Sequence, residues 1–227
     1  MKNCLKICLL IILIFSLSNS ITSQENSYSK FGYKLNFVNN DSTTTPEFCK
    51  KLVDTFYEVY PKLAERFNKN TAGEVTFIID PDFIGVAATG NDTVRFSSNW
   101  FHKRPGDIDV VTHEVMHIVQ AYPNNSGPWW ITEGIADYAR YKFGVDNEGG
   151  GWILPKVDST QNFDNSYRIT ARFFAWLELN ENQDLINNLD SKMRSKKYTS
   201  EFWMESTGKT IEQLWKEYLK NPELASI

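Results

Sequence analysis

Apolar residues recur at helical spacing over 46–67, where Phe48, Leu52, Phe56, Val59, Tyr60 and Leu63 fall on one face. Pro46 suits the first turn of such a helix, and Pro61 inside the run predicts a kink or break. Ile108, Val111, Val115 and Ile118 repeat the spacing, so a second helix is predicted from about Asp107, after Pro105-Gly106, with Asp107 as its cap. Further helices are predicted over 132–142, over 169–179 with Phe173, Phe174 and Leu177 buried, and over 212–219. The last is amphipathic through Ile211, Leu214, Trp215 and Tyr218.

Alternation marks the strands. Residues 31–38 alternate, 75–79 form a short apolar run closed by Asp80-Pro81-Asp82, and 85–89 with 93–97 flank a Gly90-Asn91-Asp92 turn as a hairpin. Polar segments at 39–46 and 123–128 read as turn and loop, and the glycine-rich 147–151 as a flexible connection. The expectation is α+β: a small mixed N-terminal sheet with helices, then a mainly helical C-terminal part. The corresponding lobes are 24–122 and 123–227.

Residues 1–23 stand apart. Lys2 and Lys6 precede an almost wholly apolar run over 7–17, and small and polar residues follow up to Ser23. That is the pattern of a secretory signal, too short for a transmembrane span, so cleavage near 20–24 and a secreted or periplasmic location are expected. No stable membrane span should then remain. Losing Lys2 and Lys6 takes the formal charge from -4 to -6, and with no long basic run this argues against nucleic-acid binding. Cys4 and Cys8 leave with the signal, so Cys49 is alone and is expected to be a buried thiol rather than a nucleophile. Packing must supply the stability, and the seven tryptophans, ten tyrosines and fifteen phenylalanines provide bulky apolar surface for it. A monomer is expected.

The chemistry concentrates in His113-Glu114-Val115-Met116-His117, which uses two of the three histidines in the chain. On a helix this spacing places both imidazoles on one face, ready for zinc, with Glu114 beside the metal as general base. A catalytic zinc takes three protein ligands and leaves one position for water. Continuing the motif to a third histidine on the same segment would need a glycine and then a histidine where Gln120 and Pro123 stand, and His102 precedes the motif. A carboxylate is therefore expected. Glu133, in Thr132-Glu133-Gly134-Ile135-Ala136-Asp137-Tyr138, is the best candidate. Asp137, one turn on, would accept the outer N–H of a ligating histidine. Gly134 costs helix propensity, which calls for a close approach. For the donor that faces a developing oxyanion, Tyr167 comes first and Arg172 and Tyr141 follow, while a packed core aromatic is the competing reading of Tyr167. The strand at 93–97 is expected to be an edge that pairs with an extended peptide.

Several blocks in order carry a resemblance to a known family. They are Gly85-Val86-Ala87-Ala88-Thr89 leading to Val94-Arg95-Phe96-Ser97, then His113 to Gln120, Thr132 to Tyr138, Tyr167-Arg168-Ile169-Thr170-Ala171-Arg172-Phe173, and Thr207 to Trp215. Together they resemble the basic secretory protein family of plants and its bacterial relatives, regarded as zinc-dependent peptidases. The wider resemblance is to zincin-like metallopeptidases with a glutamate third ligand, whose second helix carries a Glu-x-x-x-Asp pair that maps onto Glu133 and Asp137. It implies a zincin-like fold, a Zn2+ cofactor and a peptide or protein substrate. This chain departs from the family's name in being acidic. An endopeptidase is expected first. An exopeptidase of the same chemistry, or a non-catalytic exported binding protein showing Trp129, Trp130 and Trp152, are the alternatives, and an intact Glu114 argues against the latter.

Overall fold

Five strands form one mixed sheet in the computed structural model, which describes residues 24–165 and 167–224. The segment read as a signal, 1–23, lies outside the described residues. β1 (Gln24–Lys30) pairs antiparallel with β2 (Tyr33–Asn39), and β2 runs parallel to β3 (Glu74–Asp80). β5 (Thr93–Ser97) runs parallel to β3 on its other side. β4 (Ala87–Gly90) lies antiparallel outside β5, giving the order β1-β2-β3-β5-β4.

Two parallel neighbours cannot be joined by a tight turn, so the chain crosses from β2 to β3 through α1 (Pro46–Phe67). Leu35, Phe37, Val75, Phe77, Ile79, Val94 and Phe96 alternate onto one buried face of the sheet. Helix α1 lies against that face, with Phe56 stacked on Tyr60 and edge-on to Phe77. Thr45 caps the helix, accepting the Phe48 N–H, and Pro46 occupies the first turn. The predicted break at Pro61 does not occur: one helix runs through it. An interior proline costs about 3 kcal/mol. Leu63, Ala64 and Phe67 beyond it are buried, and fully burying a Leu or Phe returns about 1.5–3 kcal/mol each.

The first hairpin corrects a boundary. Phe31 and Gly32 both have positive φ, 55° and 83°, as a two-residue turn with the twist of its strands requires. Strand β2 therefore starts at Tyr33 rather than at Phe31.

Among the described residues seven more helices follow: α2 (Ser98–Lys103), α3 (Val110–Gln120), α4 (Trp129–Phe143), α5 (Tyr167–Asn180), α6 (Leu185–Arg194), α7 (Phe202–Thr207) and α8 (Ile211–Lys220). Helix α3 packs between α1 and α4, and α4 in turn packs on α5. Gly134 serves that last contact. A methyl group there would sit 2.9 Å from Thr170 Cβ, so the side chain is absent where α5 comes closest. Helix α8 opens with a reciprocal cap between Thr210 and Gln213 and buries Trp215 and Tyr218 against Phe173 of α5. Cys49 is half-buried against the core, and burial raises its thiol above the usual range. The α+β class and the sheet-then-helices layout are as the sequence implied. Among the described residues no helix is long and apolar enough to cross a membrane.

Candidate metal centre

Helix α3 places His113 and His117 one turn apart, so both rings point the same way. The helix ends at Gln120, where Ala121 takes a left-handed backbone, φ 44°, and turns the chain out. After the loop, α4 returns beside α3 and brings in Glu133. His113 Nε2 lies 3.2 Å from His117 Nε2 and 3.3 Å from Glu133 Oε2, and His117 Nε2 lies 3.5 Å from the same oxygen. Among the described residues, these three are the group that could hold a metal ion. Zinc bonds of about 2.0–2.2 Å at tetrahedral angles imply ligand-to-ligand edges of about 3.3–3.6 Å. The triangle, with edges of 3.2, 3.3 and 3.5 Å, is within about 0.1 Å of that size, so the donor set fits zinc.

The outer ring nitrogens are engaged. His113 Nδ1 donates to Asp137 Oδ1 at 2.7 Å, and His117 Nδ1 donates to Gln120 Oε1 at 2.8 Å. Each bond fixes a tautomer that leaves Nε2 its lone pair for a cation. Gln120 then donates through Nε2 to the Thr132 carbonyl at 2.8 Å, which ties the end of α3 to the turn before Glu133. Sequence reasoning named Asp137 for this kind of contact and missed Gln120. The available signal was its position three residues after His117 on the same helix.

The electrostatics favour a cation. Burial works against a charged His113, but hydrogen bonds to Asp137 and Glu133 outweigh it and raise the imidazole to about 10. Burial likewise opposes a charged Glu133, and the two histidines overcome it, holding the carboxyl well below the usual range.

Glu114 is buried on the same helix, and its Oε2 accepts from the Thr89 hydroxyl at 2.6 Å. The same hydroxyl lies 3.0 Å from the Glu114 carbonyl, so β4 is pinned onto α3 at the site. Thr89 is a second contact that sequence reasoning missed. Ala87 and Ala88 beside it line a cleft of about 910 Å3 together with the metal triangle. This corrects the expected substrate edge: β5 is flanked by β3 and β4 and has no open side, whereas β4 is the edge and faces the cleft.

Tyr167, the first residue of α5, also lines the cleft, 45% exposed, with its ring 6.1 Å from that of His113. Burial, then the nearby Glu133, Asp137 and Glu114, raise its phenol above the usual range. Exposure argues against the core-aromatic reading. Arg172 and Tyr141 do not line the cleft. Arg172 donates to the Pro155 carbonyl, and Tyr141 lines a separate cavity with Lys142 and Glu178. His102 pairs with Asp41 at 3.3 Å, outside the cleft.

The far wall overturns the expected helix cap. Asp107 is buried, ion-paired with Arg140 of α4, and accepts the Trp100 indole N–H at 2.9 Å. The helix starts later, after Asp109, whose carboxylate accepts no amide of α3; it accepts the Thr112 hydroxyl at 2.8 Å and the Val145 and Asp146 amides at 2.8 and 2.6 Å. Arg140 lies over the Trp152 ring, 4.7 Å from its centroid, so Trp152 is a wall residue rather than a displayed aromatic. Trp130 is likewise packed, against Phe163, Phe174 and Trp203, and Trp129 alone of the three is exposed.

Similar architecture occurs in solved structures. An M1 zinc metallopeptidase from Deinococcus radiodurans aligns with a TM-score of 0.50 at 12% identity, over 90% of this chain and 53% of the other. An aminopeptidase N family protein from Idiomarina loihiensis aligns with a TM-score of 0.53 at 13% identity, over 90% and 48%. The chain spans about half the length of these structures, and at such identities the likeness is one of fold. Comparison with curated proteins gives no match. At the level of family, residues 14–218 match BSP, described as peptidase of plants and bacteria. That stretch takes in the sheet, both helices of the metal triangle and the helices behind them, and the chain belongs to this peptidase family.

Proposed function

We propose that this protein is a zinc-dependent endopeptidase whose metal is held by His113, His117 and Glu133. The observation that carries the reading is the triangle of two Nε2 atoms and one carboxylate oxygen at zinc-ligand spacing, with a buried glutamate on the next helical position. Zinc, when bound, lowers the pKa of a coordinated water and polarises a carbonyl. Glu114 takes up a proton from the attacking water and returns it to the departing amine. Thr89 holds one carboxylate oxygen, Oε2, so the side chain is aimed before substrate arrives. Tyr167, on the cleft wall with its ring 6.1 Å from that of His113, donates a hydrogen bond from its phenol to the developing oxyanion. The exposed edge of β4 supplies backbone groups for an extended peptide, which suits cleavage within a chain.

Internally quenched peptides blocked at both ends are expected to be cleaved by the zinc-loaded protein, with cleavage lost on chelation and restored by zinc. Cleavage that survives complete metal removal, or its absence with one zinc bound per chain, would overturn the proposal. Blocked ends make the endopeptidase part separately testable, because an exopeptidase would act on free-ended peptides alone.

The outer contacts give a second test. Asp137→Ala and Gln120→Ala are each expected to weaken zinc binding about 10–100-fold, read by competition with a chromophoric chelator. Unchanged affinity in both would mean that ring orientation is set elsewhere.

A further inference from the structure

Of the three arginines that line the cleft, one is paired with a cleft carboxylate and two are not. Of its carboxylates, Asp107 is paired with Arg140, Glu114 accepts from Thr89, and Glu133 and Asp137 contact His113. Elsewhere Arg66, Arg95 and Arg194 are paired with Glu178, Asp80 and Asp190. Arg104 and Arg168 also line the cleft, and among the described residues neither meets a carboxylate at ion-pair distance. Both side chains are exposed. Arg104 lies over the Trp100 ring, 5.6 Å from its centroid, and Arg168 Nη1 donates to the Ile153 carbonyl at 3.3 Å.

The two are connected through the far wall. Trp100, beneath Arg104, donates to Asp107; Asp107 pairs with Arg140; Arg140 lies over Trp152; and Ile153, next in the chain, accepts from Arg168. With Arg140 paired to Asp107, Arg104 and Arg168 are the positive charges lining this wall that no carboxylate meets at ion-pair distance among the described residues. That sign is opposite to the net charge of the chain, -4, so it is a local feature rather than a reflection of composition. A guanidinium presents paired N–H donors matched to a carboxylate.

We propose that Arg104 and Arg168 make this wall a carboxylate-selecting subsite, so that the enzyme prefers peptides bearing a carboxylate within a few residues of the cleaved bond. The inference rests on the peptidase reading above and names its substrate class. The carboxylate is an Asp or Glu side chain, or the C-terminus of a short peptide.

Matched peptides separate these. One series, blocked at both ends, carries Glu or Gln at each of three positions on either side of the cleaved bond. A second pairs a free C-terminal acid with its amide. At low ionic strength the zinc-loaded enzyme is expected to favour the acid in at least one pair by about fivefold in kcat/KM, the upper range for a solvent-facing ion pair. The Arg104→Gln/Arg168→Gln protein should bring that ratio to about one, and the double Lys variant should retain part of it. The ratio is internal to each protein, so a general loss of activity does not mimic the effect. Preference confined to the blocked series assigns side chains, and preference confined to the second series assigns the C-terminus. A wild-type ratio of one in every pair, or an unchanged ratio in the double Gln variant, overturns the proposal. If no peptide is cleaved, the peptidase reading fails by itself. The same pairs are then measured by fluorescence anisotropy on the zinc-loaded protein, where equal binding of acid and neutral peptides sinks the subsite too.

Discussion

A Glu114→Gln protein is expected to bind zinc as the wild type does and to hydrolyse peptides about 10²–10⁴-fold more slowly, the range for loss of a positioned general base. The substitution keeps the shape of the side chain and an oxygen that can accept from Thr89 Oγ1, which sits 2.6 Å from Glu114 Oε2. It removes the capacity to take a proton. Glu114 is not part of the triangle formed by His113, His117 and Glu133, so metal content should not change. This separates the enzyme from a binding protein that happens to hold zinc. In the latter, both proteins would show the same negligible turnover and the same metal. Initial rates on one quenched peptide, with zinc measured on the same samples, decide it. Equal, chelator-sensitive rates in the two proteins would sink the mechanism and leave Glu114 a structural acid.

The site was legible where its residues break a pattern. His113, Glu114, Glu133 and Asp137 stand out because titratable groups interrupt apolar helical runs, and buried charge asks for a partner. Gln120 and Thr89 were not legible in that way. Each is a neutral side chain whose position relative to a histidine or a glutamate gives it significance, and Thr89 reaches α3 from a different element. The sheet shows the same division. The hairpin of β4 and β5 follows from its Gly-Asn-Asp turn, but which strand lies outside depends on β5 pairing parallel with β3. That choice is non-local, so the expected peptide edge fell on the wrong strand. Strand β1 escaped notice because all seven of its residues are exposed and no alternation marks it. Helix α6 is different: Leu185, Ile186, Leu189 and Met193 recur at helical spacing and are buried, so the chain does carry a local signal for it.

Disrupting the Asp107–Arg140 pair is expected to have the largest effect on the fold. Both side chains are about 6% exposed, and the aspartate also accepts from Trp100 at 2.9 Å. Arg140→Met keeps the length of the side chain and leaves Asp107 as a buried charge facing one indole N–H. Removing one partner of a buried pair costs about 3–5 kcal/mol, because the remaining charge is uncompensated. For a domain of about 200 residues each kcal/mol shifts Tm by about 2–4 °C, so a fall of about 6–20 °C is expected by calorimetry. A double variant, Arg140→Met with Asp107→Leu, removes both charges and should recover much of the loss. The comparison distinguishes two origins for the effect. If the double variant stays as unstable as the single, the important contacts are those of the guanidinium with Asn147 at 3.0 Å and the Trp152 ring, which hold the 144–152 loop against the cleft. If it recovers, the pair is a matter of charge balance. An unchanged Tm in the single variant would mean that water reaches Asp107 and that its charge is not confined by the Arg140 contact.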